Sequence, residues 1–194
     1  MTTTHLDLGC GPRPRNPYGR DEVHAIDILI PAGCDERLFR RANLSVAPIP
    51  HPDASFNSVS AYDFLEHVPR VFPTADGLST RFPFVELMSE IHRVLKPGGR
   101  FYAVTPGIPR VEAFTDPTHV NPITAETHLY FTEPELGATV YGFTGRFKCV
   151  RVMWIRKKLD FEPHTPGLRH ALRRLSDVLM RRRAHLLWEF EALK

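Results

Sequence analysis

The stretch that most restricts this chain is HLDLGCGPRPRNPYG, residues 5–19. The apolar run from Thr4 to Leu8 leads into Gly9-Cys10-Gly11, which predicts a buried strand entering a tight turn. Gly9 and Gly11 accept positive φ and let the backbone pass close to a ligand. A turn of this kind usually opens a helix. Here Pro12, Pro14 and Pro17 follow. Each lacks an N–H and crowds the residue before it, so a regular helix over residues 12–19 is not expected. The expectation is an ordered loop over residues 12–22, its prolines lowering the entropy of the unfolded chain.

The rest of the chain alternates strands with helices or crossovers. Val23 to Ile28 reads as a second strand ending near Asp27. PAGCDERLFRRANL has room for one or two helical turns before Asn43. NSVSAYDFLEHV begins as a strand and is expected to turn into a helix, and residues 69–82 form a long loop. Phe84, Leu87, Met88, Ile91 and Leu95 recur at helical spacing behind Pro83, with Pro97-Gly98-Gly99 as the stop. Arg100 to Thr105 is the next strand. Residues 106–134 carry little periodicity beyond a short helix from Ala125. Phe147 to Ile155 and the closing HLLWEFEAL read as strands. Between them Leu168, Ala171, Leu172, Leu175, Val178 and Leu179 line one side of a helix whose other side is arginine-rich. Such alternation implies a mostly parallel sheet covered on both faces, with ligands at the carboxyl ends of its strands. The loops after Leu8, Ile28, Asn43, Tyr62 and Thr105 then share one edge. Asp27, at the end of the second strand, sits where a carboxylate accepts hydrogen bonds from ribose hydroxyls.

Composition excludes several alternatives. With 194 residues, 42% of them hydrophobic, the chain can build one full core. The expectation is a single domain over residues 1–194 with a basic helical insertion at about 160–184. A net charge of +3 is weak support for a nucleic-acid partner, and no aromatic–basic stripe accompanies it. No apolar run approaches bilayer length and no leader is evident, so a cytoplasmic protein is expected. Cys10, Cys34 and Cys149 form neither a disulfide framework nor a metal motif and read as reduced thiols. The basic helix is expected to solvate a surface, with peripheral contact to a membrane or an anionic substrate as the sharper reading.

Four stretches, in order, resemble the class I S-adenosylmethionine-dependent methyltransferases of the UbiE, or type 11, kind: HLDLGCGP (5–12), AIDI (25–28), IPHPDASFNSVSAYDFLEHVPR (49–70) and EIHRVLKPGGRFYAVTP (90–106). FTDPTHVNPITAETHLYF (114–131) resembles a further stretch found in one branch. The resemblance implies a Rossmann-like α/β fold: a mostly parallel seven-stranded sheet, the last strand antiparallel, helices on both faces, and here the first crossover helix replaced by the proline loop. It implies S-adenosyl-L-methionine as cofactor and S-adenosyl-L-homocysteine as product. It further implies that Asp7 fixes the loop and meets the methionine end of the cofactor. Gly9, Cys10 and Gly11 pass beside the cofactor, Asp27 holds the ribose, and Ile28 packs on the adenine. Asn43, where the family often has an acid, faces the adenine amino group with the Leu44 amide nearby. Tyr62 and Asp63 arrive beside the sulfonium. Such a ligand is no pyrophosphate, so no helix dipole aimed at phosphate is required. Relatives with N-terminal helices use them as a lid; here residues 69–82, residues 106–134 or a second subunit would serve.

The acceptor side is read from the residues alone. His119, in DPTHVNP, lies in a non-periodic loop after the fifth long strand, where a histidine can take a hydroxyl proton. Asp116 is placed to orient it or to bind the acceptor, and Asp63 or His67 is the alternative base. His128 could also face this pocket. Glu66 and His67 read as structural, and no metal is expected from the spacing. The resulting reading is methyl transfer to an oxygen or nitrogen of a small molecule or glycan, with a homodimer compatible. The rival is an inactive cofactor-binding partner of another enzyme.

Overall fold

The computed structural model describes residues 2–157, 177 and 182–194. Its main sheet contains β1 (Thr4–Leu8), β2 (Glu22–Asp27), β3 (Phe39–Arg41), β4 (Phe56–Tyr62), β7 (Leu95–Pro106), β8 (Phe147–Ile155) and β9 (His185–Ala192). A small hairpin, β5 (Phe72–Pro73) with β6 (Thr80–Arg81), interrupts the loop expected over 69–82. The seven strands lie in the order β3-β2-β1-β4-β7-β9-β8. From β3 to β7 every pairing is parallel, and β9 runs antiparallel to both of its neighbours. This is the mostly parallel α/β sheet with an antiparallel last strand that the sequence implied.

Alternation within the strands gives the sheet two different faces. Leu6, Leu8, Ile26, Val59, Ala61, Phe101 and Ala103 point to one side and join a single apolar cluster. The helix α1 (Pro83–Val94) lays Phe84, Leu87, Met88 and Ile91 into that cluster, as their spacing predicts; Val94 ends this face, and Leu95, expected on the helix, joins the cluster from the start of β7. Pro83 occupies the first turn, where a missing N–H costs nothing. The chain then leaves the helix directly into β7 at Leu95, earlier than the Arg100 start expected.

The opposite side of β1 and β4 carries His5, Asp7, Ser58 and Ser60, all buried. Residues 12–21 cover it with no helix, as the prolines require. The Arg15 N–H donates to Asp7 Oδ2 at 2.8 Å. Ser60 Oγ donates to Asp7 Oδ1 at 2.6 Å and lies 2.8 Å from His5 Nε2. Ser58 Oγ lies 2.8 Å from His5 Nδ1 and accepts from Arg20 Nε at 3.3 Å. Because Ser60 spends its proton on Asp7, His5 must donate through Nε2 and accept from Ser58 through Nδ1. A directed chain of hydrogen bonds therefore runs from Arg20 to Asp7 across the sheet. Burial pushes His5 down to about 3 and Asp7 up to about 6. The Tyr18 hydroxyl anchors the far end of the loop on Glu189 at 2.9 Å.

Two helical expectations fail locally. Residues 28–38 form turns leading into the short β3, because Pro31, Gly33 and the Asp35 side chain favour turns. After β4 the chain makes one 3-10 turn, Leu65–His67, and not a longer helix; Pro69 stops it. Beyond β7, a four-residue helix, Glu112–Thr115, and a 3-10 turn, Thr127–Tyr130, interrupt the loop. The helix expected near 168–183, and with it most of the insertion at 160–184, lies outside the described residues. Among the described residues no helix is long and apolar enough to cross a membrane.

Candidate active site

Parallel strands bring the ends of β1, β2, β3, β4 and β7 to one edge of the sheet. The antiparallel β9 adds its beginning, since His185 pairs with Pro106 on one side and Ile155 on the other. Two cavities open at this edge.

The first, about 440 Å³, is walled by Gly9, Asp27, Ile28, Asn43, Leu44, Asp63, Phe64 and His67 among others. Gly9 has φ +61° and Gly11 +58°, the left-handed region expected of them. A Cβ on Gly9 would also overlap the Phe64 ring, so the position is fixed twice over. Asp27 Oδ2 accepts from the Gly11 N–H at 2.8 Å and Oδ1 from the Leu29 N–H at 3.1 Å. Each oxygen keeps a second lone pair, and that pair is what a ribose diol needs. Ile28 is 55% exposed and offers an apolar surface for a flat base. The volume suits a small-molecule site, for which roughly 300–1,000 Å³ is usual. The donor set and shape thus fit an adenosine-bearing sulfonium cofactor.

The other residues expected around this cavity are arranged differently. Asp7 fixes the loop as expected, but Ser60 and the Arg15 amide occupy its oxygens from within. Cys10 packs beside Ala25 and Phe39, and burial pushes its thiol up to about 12. Gly11 is not part of the cavity wall. Tyr62 is buried with Tyr102 on the loop-covered side, and the Arg15 guanidinium lies 4.8 Å from its ring centre. The strand's alternation sends Tyr62 there and leaves Asp63 to reach the edge. Asn43 spends its Oδ1 on the Ser45 N–H at 3.1 Å, in a turn that positions Leu44.

The second cavity, about 640 Å³, is walled by Asp63, Glu66, His67, Asp116, His119, Lys157 and His185 among others. It shares Asp63 and His67 with the first. Asp63 has φ +47°, an uncommon conformation for a residue with a side chain. Its carboxylate pairs with Lys157, and His185 Nε2 is 3.7 Å away. Glu66 is 2% exposed, accepts from Thr105 Oγ1 at 2.9 Å through Oε2, and has no partner for the buried Oε1. Burial pushes its carboxyl up to about 7.

The loop bearing His119 is pinned to the 3-10 turn by three bonds. The amides of Val120 and Asn121 donate to the Glu66 carbonyl, and Asn121 Nδ2 donates to the Leu65 carbonyl, all at 2.9 Å. His119 Nδ1 lies 3.2 Å from the Ala113 carbonyl, so that nitrogen carries the proton and Nε2 the lone pair. Asp116 does not orient the ring: its Oδ2 is 3.9 Å from Nε2, and its Oδ1 holds Thr118 through both N–H and hydroxyl. An Asx turn has claimed the carboxylate. His128 bonds the Ala125 carbonyl at 2.7 Å and lines neither cavity. Spacing along the chain gives no metal motif, yet ligand atoms of Glu66, His67 and His119 lie within 4.8 Å of one another.

Lys157 and His185 are the residues that sequence reasoning missed. Their signal is that a strand running antiparallel starts where its neighbours end, which requires the β8–β9 register. A further cavity, about 560 Å³, lies among Phe82, Phe84, Tyr130, Phe131 and Tyr141 and touches none of these strand ends.

The fold recurs in solved structures. A chain of the complex between the Haloferax volcanii Trm112 methyltransferase activator and a methyltransferase superposes with TM-score 0.59 at 16% identity, covering 100% of this chain and 83% of that one. An S-adenosylmethionine-dependent methyltransferase from Mesorhizobium loti gives 0.56 at 16%, covering 98% and 91%. The cyclase SpnF gives 0.56 at 17%, covering 99% and 75%. No curated protein matches the sequence. The model of the family described as a methyltransferase domain matches residues 6–103. That match spans half of the chain, from the strand before the glycine turn to the strand before the His119 loop. The chain therefore belongs to the class I S-adenosylmethionine-dependent methyltransferases, and S-adenosylmethionine is its cofactor.

Proposed function

We propose that the chain transfers the methyl group of S-adenosylmethionine to a hydroxyl or amine of a small polar molecule or glycan. The observation that carries this is the pair of cavities joined at Asp63 and His67. One suits the adenosine; the other, lined by carboxylates, imidazoles and an ammonium, suits a hydroxylated acceptor. In this reading Asp27 binds the ribose, Ile28 and Leu44 flank the adenine, and the sulfonium carbon faces the second cavity near Asp63. The O–CH3 or N–CH3 bond forms as S–CH3 breaks, leaving the thioether. A hydroxyl proton passes to His119 Nε2, the unprotonated nitrogen of that ring. Catalysis then rests on alignment plus this base.

The test is formation of S-adenosylhomocysteine with a panel of sugars, phenols and amines. His119→Ala should lower kcat by about 10²–10⁴-fold while leaving cofactor affinity nearly unchanged. A loss below about tenfold would leave alignment as the whole mechanism. Cofactor binding with no turnover on any acceptor would favour the inactive-partner reading. A cytoplasmic setting and a homodimer are compatible with this reading and are checked by fractionation and light scattering.

A further inference from the structure

The wall of the second cavity gathers three acceptor groups from two separate segments. Glu66 and His67 end the 3-10 turn after β4, and His119 arrives on the loop after β7. The His67 and His119 rings meet edge to face, centroids 4.9 Å apart. Both rings are held in the same tautomer. His67 Nδ1 lies 3.0 Å from Thr118 Oγ1 and 3.3 Å from the Thr118 carbonyl. Since Thr118 Oγ1 gives its own proton to Asp116 Oδ1 at 2.6 Å, His67 must donate. His119 Nδ1 donates to the Ala113 carbonyl. Each ring therefore keeps its lone pair on Nε2. Beside them Glu66 Oε1 is buried without a partner.

Ligand atoms of the three residues lie within 4.8 Å of one another, and an orphaned buried carboxylate oxygen is costly by itself. A cation held among them satisfies that oxygen. Imidazoles whose Nδ1–H is tied to a carbonyl or hydroxyl, with Nε2 free, are also the arrangement that surrounds bound metals. We propose that Glu66, His67 and His119 form a binding site for a divalent transition cation of the zinc, cobalt or iron(II) type, with open positions facing the acceptor cavity. Two imidazoles and one carboxylate select such ions over magnesium or calcium, which prefer all-oxygen shells.

The geometry sets a condition. Ligand atoms around such an ion, with bonds of about 2.1 Å, lie about 3–3.5 Å apart. The present spread of up to 4.8 Å must therefore contract on loading. Side-chain rotation of two partly buried histidines supplies that movement without moving a strand. With a cation bound, His119 would be a ligand and no longer a base; the cation would supply charge that lowers the pKa of an acceptor hydroxyl, whose proton would pass to solvent water in the open cavity.

Binding is measured without cofactor or acceptor, so its outcome is separate from that of the methyl-transfer reading. The tag-free full chain is dialysed against Zn²⁺, and against Co²⁺ for its visible spectrum, with Mg²⁺ as the contrast. The expected result is about one Zn²⁺ or Co²⁺ per chain and no Mg²⁺. Glu66→Gln, which keeps the shape and the Thr105 bond, should weaken Zn²⁺ at least tenfold. His119→Ala should do the same and change the Co²⁺ spectrum, whereas His128→Ala should bind as the parent does. Equal Zn²⁺ affinity in the parent, Glu66→Gln and His119→Ala, each folded by circular dichroism, would overturn the site. So would a parent chain that takes up no Zn²⁺ at tens of micromolar.

Discussion

The two faces of the sheet solve the same covering problem by opposite chemistry. Under α1 the strands present Leu6, Leu8, Val59 and Ala61; under the proline loop the same strands present His5, Asp7, Ser58 and Ser60. A helix satisfies its own backbone and brings only side chains, so the face beneath it can be wholly apolar. A loop brings unpaired N–H groups, and the face beneath it must offer acceptors or leave them buried and unmet. Asp7 is that acceptor for Arg15, and the serine–histidine chain keeps the rest of the face satisfied. Exchanging a helix for a loop thus changes what the sheet itself has to be made of.

The comparison breaks most readily on the helical side. Ile91 is fully buried in the apolar cluster, so Ile91→Ala removes transfer energy and leaves a cavity. A loss of about 2–5 kcal/mol in urea unfolding is expected. A loss under about 1 kcal/mol would mean that α1 is not the main cover of that face.

The polar side answers to pH. Asp7, raised to about 6 from 3.8, contributes stability that is present below pH 3.8 and lost as pH rises to about 6. His5, lowered from 6.5 to about 3, contributes stability that is present above pH 6.5 and lost as pH falls. Between pH 6 and 4 the two oppose one another. Asp7→Asn leaves only the histidine limb, so on acidification from pH 6.5 to 4 the variant should lose about 2 kcal/mol more than the parent. Parallel stability curves for the two proteins would show that these groups are not buried as described.

Where the loop meets the cofactor cavity, Asp27→Ala should weaken S-adenosylmethionine by about 1.5–3 kcal/mol, the range for hydrogen bonds to a charged group. Calorimetric titration reads this directly, and an unchanged affinity in a folded variant would remove Asp27 from the ribose. The smallest effect is expected of Pro14→Ala, which is exposed. It should cost about 0.4–1 kcal/mol through the unfolded state alone, with cofactor affinity unaltered. A stabilising result would show that the ring strains the loop.

Residues of the first cavity are legible in the chain because they follow parallel strands. A strand, a turn and the next strand's end are consecutive in sequence, and their alternation fixes which residues reach the edge. Gly9, Asp27, Ile28 and Leu44 line one cavity for that reason. Of the pair Tyr62 and Asp63 expected at this edge, only Asp63 reaches it, since neighbours along a strand take opposite faces. The acceptor side is assembled otherwise. Glu66, His119, Lys157 and His185 come from four separate segments. What joins them is long-range: Asn121 bonded to the turn at Leu65, and the antiparallel β9 in register with Pro106 and Ile155. Asp116 near His119 in sequence predicts an orienting pair, yet backbone carbonyls and Thr118 compete for those groups, and only the folded loop decides which wins. Sequence thus determined most strands of the main sheet, the helix-free proline loop and the place of Asp27 at the strand edge, each set by its own few residues. Tertiary structure alone decided which acids and imidazoles share a cavity, because that depends on hydrogen bonds between segments far apart in the chain.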